Sequence, residues 1–441
     1  MGRPAGPATP GLLDQVVCPY CWHEFPPVRT RWVGTDHPDV PDDAKLGRGY
    51  PRRFDADRFT ATGLAIDTAG GVCHDLACPE CHLVLPRACL ELPPMMLSVF
   101  GREGSGKSYF LAAMVRELNR RLQPEFDVSF GDADTALNVL LNENISSVYK
   151  RADGDAAQPL TELIRKTQEM GEQYHTVKIG GRTQSFLQPF LFTAQPLPPH
   201  PLADPSPRRS GRRQPHGRTV CVYDNAGESF APGADRSSQP VTRHLGQSEA
   251  LLFIFDPTQE TTFSRDLHAP QAGGADVKRD QLSVLQEAGK RVRQFAMLSP
   301  TQRDPRPLIV VITKCDAWHH NLEPYFERPL WRRISAGRDG ETINPNVLDM
   351  PAVEALSKAT RSLLGERCGE IVNAAENLSE DVTYVPVSAV GDDVEFGPDG
   401  AVCVRSDKAA PINAMLPFLV AAAKSEQTKL IMKGGSRAAS R

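Results

Sequence analysis

The sequence lacks any long apolar segment. No hydrophobic run approaches the roughly 20 residues needed to cross a bilayer, and the N-terminus has no apolar signal core. Met1-Gly2 is not followed by serine or threonine at position six, so the N-myristoylation pattern is also missing. A formal net charge of only −4 gives no general reason to expect nucleic-acid binding. These absences predict a cytoplasmic, reducing location without a membrane span.

The composition is that of a soluble globular protein. Hydrophobic residues make up 40% and charged residues 24% of the 441 positions. This length is enough for one large α/β domain with a well-buried core and a small additional module. Proline is frequent, at 38 residues. The proline- and arginine-rich stretch 196–217 lacks periodicity and is predicted to be a mobile loop.

A glycine-rich motif stands between a predicted strand and a predicted helix. Residues 101–108 fit G-x-x-x-x-G-K-[ST], a loop whose backbone N–H groups surround nucleotide phosphates. Lys107 is expected to reach the terminal phosphates and the Ser108 hydroxyl to bind Mg²⁺. The apolar residues 96–100 predict the strand, and the apolar face of 109–122 predicts the helix. A glycine-rich turn with an incidental lysine is the alternative. The predicted loop residues are Gly101, Arg102, Glu103, Gly104, Ser105, Gly106, Lys107, Ser108 and Tyr109.

A second motif follows the alternating segment 218–223 and runs from Asp224 to Gly227. An aspartate at the carboxyl end of a strand can hold Mg²⁺ through water, and the N–H of Gly227 can approach a γ-phosphate. A lone D-x-x-G is weak evidence because turns often produce it. In combination with the first motif, it predicts that Ser108 and Asp224 share the Mg²⁺ site.

Two further predicted strands end in residues suited to guanine. The run 308–312 is typical of a strand buried on both faces. It leads to Asp316, whose carboxylate can accept both N–H groups of the guanine Watson–Crick edge, which adenine does not offer. Residues 382–387 form the other strand, and backbone N–H groups after it would contact the guanine carbonyl oxygen. The predicted base-reading residues are Thr313, Lys314, Asp316, Ser388, Ala389 and Val390.

With these four motifs in this order, residues 95–425 resemble the P-loop GTPases of the translation-factor-related (TRAFAC) class. The resemblance implies an α/β fold, a three-layer αβα sandwich with a mostly parallel sheet, over residues 93–427. It also implies binding of GTP with Mg²⁺ and hydrolysis of GTP.

The interval before Asp224 departs from the pattern of that class. Minimal members place D-x-x-G soon after the first helix, whereas here residues 125–217 form a long insertion. A threonine that closes over the γ-phosphate must lie in this interval. Thr176 is the first choice, and Thr167 and Thr193 are the alternatives.

Two glutamates affect the rate of GTP hydrolysis that we expect. Many relatives place glutamine directly after D-x-x-G, where this chain has Glu228. A carboxylate can accept a proton from the attacking water, but its charge faces the phosphates and it donates no hydrogen bond. Glu103 occupies a position where small residues leave room for an arginine finger. Both features predict slow hydrolysis by a molecular switch, with a nucleotide-binding scaffold of little turnover as the alternative. The predicted catalytic residues are Lys107, Thr176, Asp224, Gly227 and Glu228. Three further groups could act in cis, namely Arg236, Arg243 and His244. Ordinary surface charge is the simpler interpretation of these three.

The N-terminal region contains two C-x-x-C motifs, and their spacing predicts a closed, structural Zn²⁺ site. The four expected ligands are Cys18, Cys21, Cys78 and Cys81, and the possible substitutes are Cys73, His74, His23 and His82. Nothing marks the chain as secreted, which disfavours disulfides. No thioredoxin-like βαβ pattern surrounds either motif, which disfavours redox chemistry. We predict a zinc-ribbon module over residues 1–92, with a polar insertion at 36–58.

A zinc ribbon that leads into a GTPase domain with a long insertion resembles the bacterial double-GTPase (DO-GTPase) families of conflict and defence systems. Residues 255–257, Phe-Asp-Pro at the end of the fourth strand, support this resemblance. It implies a protein partner, either a second GTPase or an effector.

The remaining predictions concern elements outside these motifs. They are helices at 280–298, 353–378 and 411–424, loop insertions at 266–278 and 323–346, and a disordered basic tail at 428–441.

Overall fold

The structure, a computed structural model, describes residues 11–150, 156–164, 174–204, 206–207, 213–225, 227–230, 242–260, 263, 281–334, 336–338, 341–343, 345–397 and 401–434. The predicted loop insertion 266–278 lies outside these residues.

A seven-stranded sheet forms the centre of the described part of the chain, in the order β2-β3-β4-β1-β5-β6-β7. Its strands are β1 (Pro94–Gly101), β2 (Val128–Asp132), β3 (Phe190–Pro196), β4 (Arg218–Asp224), β5 (Ala250–Phe255), β6 (Asp304–Ile312) and β7 (Ser379–Pro386). Strands β4, β1, β5, β6 and β7 run parallel to one another. Only β3 runs against the others, since it pairs antiparallel with both β2 and β4. The prediction of an α/β fold with a mostly parallel sheet is confirmed.

Helices cover both faces of this sheet. They are α1 (Lys107–Phe126), α2 (Val139–Tyr149), α3 (Gln281–Phe295), α4 (Met350–Arg367), α5 (Gly369–Leu378) and α6 (Leu416–Lys424). Leu252 of β5 packs in the core cluster that contains α1 and α6, whereas its neighbour Phe253 packs with α3 and α5. Because successive side chains of a strand point to opposite faces, these two clusters lie on opposite sides of the sheet. All six residues of β5 are buried, as expected of a strand covered on both faces.

Several predicted elements differ from the structure, and the helix predicted at 411–424 begins only at Leu416. The predicted helix 353–378 is two helices, because Cys368 adopts a non-helical conformation (φ −136°, ψ 43°) directly before Gly369. The predicted loop insertion 323–346 instead contains strand Trp331–Arg333, which pairs with Asn346–Asp349. The tail does not begin at Thr428. Leu430 and Ile431 are buried, and Lys433–Gly434 pairs with Leu348–Asp349. The segment is ordered because its apolar side chains pack against the domain.

The N-terminal module packs against the face of the sheet near β3 and β4. Its elements are strands Val16–Val17, Glu24–Phe25, Arg31–Val33, Asp42–Asp43, Gly47–Pro51, Arg53–Phe54, Leu76–Ala77 and Val84–Leu85 and the short helix Ala88–Glu91. The hairpin Tyr174–Ile179 with Arg182–Leu187 contributes Val177 and Phe186 to the core of this module. Tyr223 of β4 donates a hydrogen bond to the Pro19 carbonyl at 2.6 Å. The module is therefore joined to the strand that ends in Asp224.

Smaller elements surround these parts. They are strands Gln158–Pro159, Ser206–Pro207, Arg213–Gln214, Ala336–Arg338, Glu341–Ile343, Val394–Phe396 and Val402–Val404 and helices Leu160–Leu163 and Glu323–Phe326. Within the described ranges, no helix combines the length and apolar character that a membrane span requires.

Candidate functional site

The motif residues, together with Asp256, lie where the parallel strands end. Gly101 ends β1 and Asp224 ends β4, while Asp256, Thr313 and Ser388 follow β5, β6 and β7. Parallel neighbours place their carboxyl ends at one edge of the sheet, and β1 lies where the strand order reverses. That edge is the usual ligand-binding position of open α/β sheets.

Residues 101–108, the predicted phosphate loop, require glycine at several points. A Cβ at Gly101 would lie 2.5 Å from the Ile254 carbonyl oxygen, so no larger residue fits. Gly104 and Gly106 have φ values of 76° and 89°, in the left-handed region that favours glycine. Helix α1 begins directly afterwards at Lys107. The loop therefore ends at a helix N-terminus, where backbone N–H groups and the helix dipole favour an anion.

The ammonium of Lys107 lies inside this loop. Its Nζ donates to the carbonyl oxygens of Gly101 at 3.0 Å and Arg102 at 3.2 Å. Burial lowers the pKa of Lys107, and the negative charges of Asp224 and Glu103 oppose that shift. The structure thus brings the predicted Mg²⁺ aspartate into the electrostatic environment of the predicted phosphate lysine.

The loop after β6 contacts the phosphate loop directly. The Thr313 hydroxyl donates to the Ser105 carbonyl at 2.8 Å, and the Thr313 N–H donates to the Phe255 carbonyl at 2.8 Å. Lys314 has a φ of 55°, which is uncommon for a residue with a side chain. Strained backbone of this kind concentrates at functional sites because surrounding contacts must hold it.

Asp316 lies beside the loop that follows β7. Burial raises the pKa of Asp316, and a hydrogen bond with the Ser388 side chain opposes the shift. The Ser388 Oγ in turn accepts hydrogen bonds from the N–H groups of Gly391 at 2.9 Å and Val390 at 3.3 Å. The Ala389 carbonyl accepts a hydrogen bond from Tyr149 at 2.7 Å. The two predicted base-reading segments are therefore adjacent and fixed.

Other predicted residues lie elsewhere or outside the described part of the chain. Thr176 is exposed in the hairpin on the N-terminal module, where it pairs with Ser185, and its role stays a prediction. Thr193 lies within β3. Gly227 begins a short 3-10 turn. The residues not described are Thr167, Arg236 and the side chain of Glu228.

His244 is not a surface charge. It is fully buried, and its ring stacks on Tyr223 with centroids 4.7 Å apart. Its Nδ1 lies 2.6 Å from the Ser98 Oγ. Burial lowers the pKa of His244 to about 3. A neutral imidazole packed in the core is thus the correct description, because the desolvated ring resists protonation.

The four predicted metal ligands form one cluster. The Sγ atoms of Cys18, Cys21, Cys78 and Cys81 all lie within 4.8 Å of one another. Two Sγ pairs, Cys18–Cys81 and Cys21–Cys78, are 3.7 Å apart. A tetrahedron with metal–sulfur distances of about 2.3 Å has edges of about 3.8 Å, so the donor set fits Zn²⁺. Burial raises the pKa of the Cys18 thiol, and a bound cation would offset that cost of ionisation.

The two C-x-x-C loops have the same backbone geometry. The N–H of Trp22 donates to the Cys18 carbonyl, and the N–H of His82 donates to the Cys78 carbonyl, each at 3.0 Å. Trp22 and His82 have φ values of 58° and 63°. The His82 ring is bound to Asp43 at 2.8 Å, which connects the polar insertion to the second loop.

Two polar residues at the site belong to none of the four predicted motifs. Asp256 was noted only as part of the Phe-Asp-Pro resemblance, and Gln259 was not predicted. Asp256 lies 2.6 Å from Lys314 Nζ, and Gln259 donates to the Gly104 carbonyl at 2.9 Å. An aspartate directly after the fully apolar strand β5 was the available signal.

Neither a protein-family model nor a curated protein sequence matches this chain. Among solved structures, it is similar to the signal recognition particle receptor SRb-GTP/SRX complex from Chaetomium thermophilum, with 11% identity and a TM-score of 0.23 over 70% of this chain and 93% of that chain. It is also similar to the GTP-bound GTPase-like domain of S. cerevisiae Ski7, with 11% identity and a TM-score of 0.25 over 68% of this chain and 43% of that chain. Similarity this low identifies no function, which must come from the site residues.

Proposed function

We propose that this protein binds Mg²⁺ and GTP at the carboxyl edge of its sheet and hydrolyses GTP slowly, as a molecular switch. The observation that carries the proposal is the convergence of four motifs at that edge. Thr313 bonds to the phosphate loop, Lys107 lies within that loop near Asp224, and Asp316 lies against Ser388.

Each group has a distinct chemical task. The N–H groups of 101–108 and the Lys107 ammonium would neutralise the phosphate oxygens. The Ser108 hydroxyl and the Asp224 carboxylate would hold Mg²⁺, which neutralises charge on the β- and γ-phosphates when bound. The Asp316 carboxylate would accept the guanine N–H groups, and the N–H groups of Ala389 and Val390 would meet the guanine carbonyl oxygen.

Slow turnover is favoured by Glu103 and Glu228. Glu103 is exposed on the phosphate loop, where its negative charge faces any approaching arginine or phosphate. Glu228 supplies no hydrogen-bond donor to the charge that develops on the phosphate. The same two residues favour the alternative, a nucleotide-binding scaffold without turnover, so turnover must be measured separately from binding.

The biological setting is also part of this proposal. The order of a four-cysteine module followed by a GTPase-like domain supports a place among the bacterial double-GTPase families, acting in the cytoplasm with a second GTPase or an effector. A GTPase encoded beside this chain that accelerates its phosphate release would support that setting, whereas equal rates with and without it would contradict it.

Nucleotide identity is tested by Asp316→Ala. We expect the wild type to bind Mg·GTP much more tightly than Mg·ATP in calorimetric titrations. Asp316→Ala should weaken GTP binding by about 100-fold or more and leave ATP binding unchanged, because only guanine uses the carboxylate. Lys107→Ala should weaken both nucleotides. Asp407→Ala, an exposed aspartate paired with Arg405, is the matched control and should bind like the wild type. Equal affinity for GTP and ATP in the wild type would refute the assignment.

Phosphate release separates the switch from the scaffold. Single-turnover release of inorganic phosphate from bound GTP should be slow but measurable, and Glu228→Gln should increase it. If no phosphate forms in the wild type or in Glu228→Gln, the scaffold is the correct description.

A further inference from the structure

Asp256 and Gln259 join the two halves of the candidate site, although neither belongs to a nucleotide motif. The side chain of Asp256 is fully buried, and its Oδ2 lies 2.6 Å from Lys314 Nζ. The same oxygen accepts a hydrogen bond from Gln259 Nε2 at 3.0 Å. Gln259 Nε2 also donates to the Gly104 carbonyl, and Arg102 donates to Gln259 Oε1, each at 2.9 Å. One carboxylate therefore connects the base-reading loop to the phosphate loop.

Asp256 is itself held from several directions. Its Oδ1 accepts hydrogen bonds from the Thr258 N–H at 2.9 Å and the Thr258 hydroxyl at 2.6 Å. Its backbone N–H donates to Gln281 Oε1, and its carbonyl accepts from Gln281 Nε2, both at 2.9 Å. A buried carboxylate with these hydrogen bonds has little freedom to move. It therefore provides a rigid partner for the Lys314 ammonium.

Without a fixed partner, the Lys314 side chain would be mobile. Its side chain is 46% exposed, and a lysine side chain at the surface samples many rotamers. The ion pair fixes the ammonium beside the end of β5, while the Lys314 backbone follows β6. The aliphatic part of the side chain must then span the ends of these two strands. Ordering it before a ligand arrives reduces the entropy lost on binding.

We propose that Asp256 is a positioning residue for guanine-nucleotide binding. It acts through Lys314 on the base side and through Gln259 on the phosphate side. This inference rests on the proposed function, because it presupposes that the site takes GTP. It adds that a residue outside the four motifs sets the affinity, without touching the nucleotide, by ordering the predicted base-reading Lys314 and, through Gln259, the loop 101–108.

The test begins with Asp256→Asn, which keeps the shape and the Oδ1 acceptor but removes the charge that holds Lys314. Calorimetric titration with Mg·GTP and Mg·GDP should show binding weakened by about tenfold or more. Lys314→Ala and the double variant complete a double-mutant cycle. If Asp256 acts through Lys314, the loss of binding free energy in the double variant is smaller than the sum of the two single losses. A merely structural effect gives a loss equal to that sum.

Two further variants keep the test interpretable. Asp381→Asn removes the carboxylate partner of Lys424 at the opposite end of β7, and it should bind GTP like the wild type. Gln259→Ala alters a partly exposed side chain with little risk to folding, and it should also weaken GTP and GDP. Thermal unfolding of every variant identifies any loss of fold.

The outcomes distinguish the two proposals. Weaker binding by Asp256→Asn and Gln259→Ala, with non-additive losses in the cycle, supports the inference. Wild-type affinity in both variants, tighter binding by Asp256→Asn, or additive losses overturns it while leaving GTP binding by the wild type intact. Failure of the wild type itself to bind any guanine nucleotide overturns both.

Discussion

At the scale of single residues, burial decides how the ionisable groups behave. Asp316, Lys107 and His244 share one cause, since removal from water disfavours the charged form of each. The consequence differs with their surroundings. Asp316 lies against the Ser388 side chain and Lys107 against carbonyl oxygens at the candidate site, while His244 is packed between Tyr223 and the Ser98 hydroxyl. The first two are candidates for ligand binding, and the third contributes to stability.

The buried imidazole predicts a pH-dependent stability. The pKa of His244 is about 3 in the folded protein and about 6.5 in an unfolded chain, so only the unfolded state takes up the proton between these values. The free energy of unfolding should therefore be highest above pH 6.5 and fall as the pH drops, by up to about 1.4 kcal/mol per pH unit from this residue. Urea unfolding at pH 5, 6 and 7 measures the slope.

The control for this prediction is a pair of glutamine variants. His244→Gln should flatten the slope relative to the wild type, whereas His74→Gln, at an exposed histidine, should leave it unchanged. An identical slope in His244→Gln and wild type would show that another group carries the pH dependence.

At the scale of elements, the two C-x-x-C loops form one unit that is joined to the sheet. Trp22 follows the first loop and donates to the Tyr223 hydroxyl at 3.2 Å, while that hydroxyl donates to Pro19 inside the loop. Tyr223 directly precedes Asp224 at the end of β4. The strand end that carries the proposed Mg²⁺ ligand is thus in direct contact with the first of the two cysteine loops.

Loss of one cysteine from the cluster should remove the metal and destabilise this junction. We expect about one Zn²⁺ per chain in the purified wild type and almost none in Cys78→Ser, because a structural site needs all four ligands. The Cys78→Ser variant should also unfold at a lower temperature, since metal binding contributes folding free energy. Elemental analysis and thermal unfolding measure the two effects.

Cys73→Ser is the matched control, because Cys73 is buried in the same module but lies outside the cluster. It should retain its zinc. Equal metal content in Cys78→Ser and wild type would exclude a four-cysteine site.

At the scale of the whole molecule, segments distant in sequence close the amino-terminal side of the sheet. Arg218 at the start of β4 donates to the Gln427 carbonyl, and Thr428 donates to Glu249 at 3.1 Å. Leu430 is completely buried, and Lys433–Gly434 adds to the small sheet beside α4. Within the predicted basic tail, residues 428–434 are therefore part of the folded domain, whereas residues 435–441 lie outside the described part of the chain.

Leu430→Ala should consequently destabilise the whole domain. A fully buried leucine replaced by alanine typically costs about 2–5 kcal/mol in free energy of unfolding. Lys429→Ala, at the exposed neighbouring position, should cost less than about 0.5 kcal/mol. Denaturant unfolding of both variants checks this. Equal stability would mean that the segment does not pack on the domain in solution.

The sequence by itself determined the parallel strands of the central sheet, the glycine-rich loop between β1 and α1 and the four clustered cysteines. Each of these depends on local patterns: apolar runs for β5 and β6, the glycine spacing of residues 101–108, and the C-x-x-C spacing. Each single pattern is local and can be read without a fold, but only the fold brings the two C-x-x-C motifs together, since Cys18 and Cys81 are 63 positions apart. The break at Cys368 was missed because the apolar spacing continues across it into α5.

Only the tertiary structure decided which residues meet. The pairing of Lys314 with Asp256, the burial of His244 beneath Tyr223 and the packing of Leu430 join positions far apart in sequence. No local pattern encodes these contacts, because each forms only when the fold brings together segments that are distant in sequence. The motifs contain the residues of the proposed site, and the order of the strands determines which of these residues lie side by side.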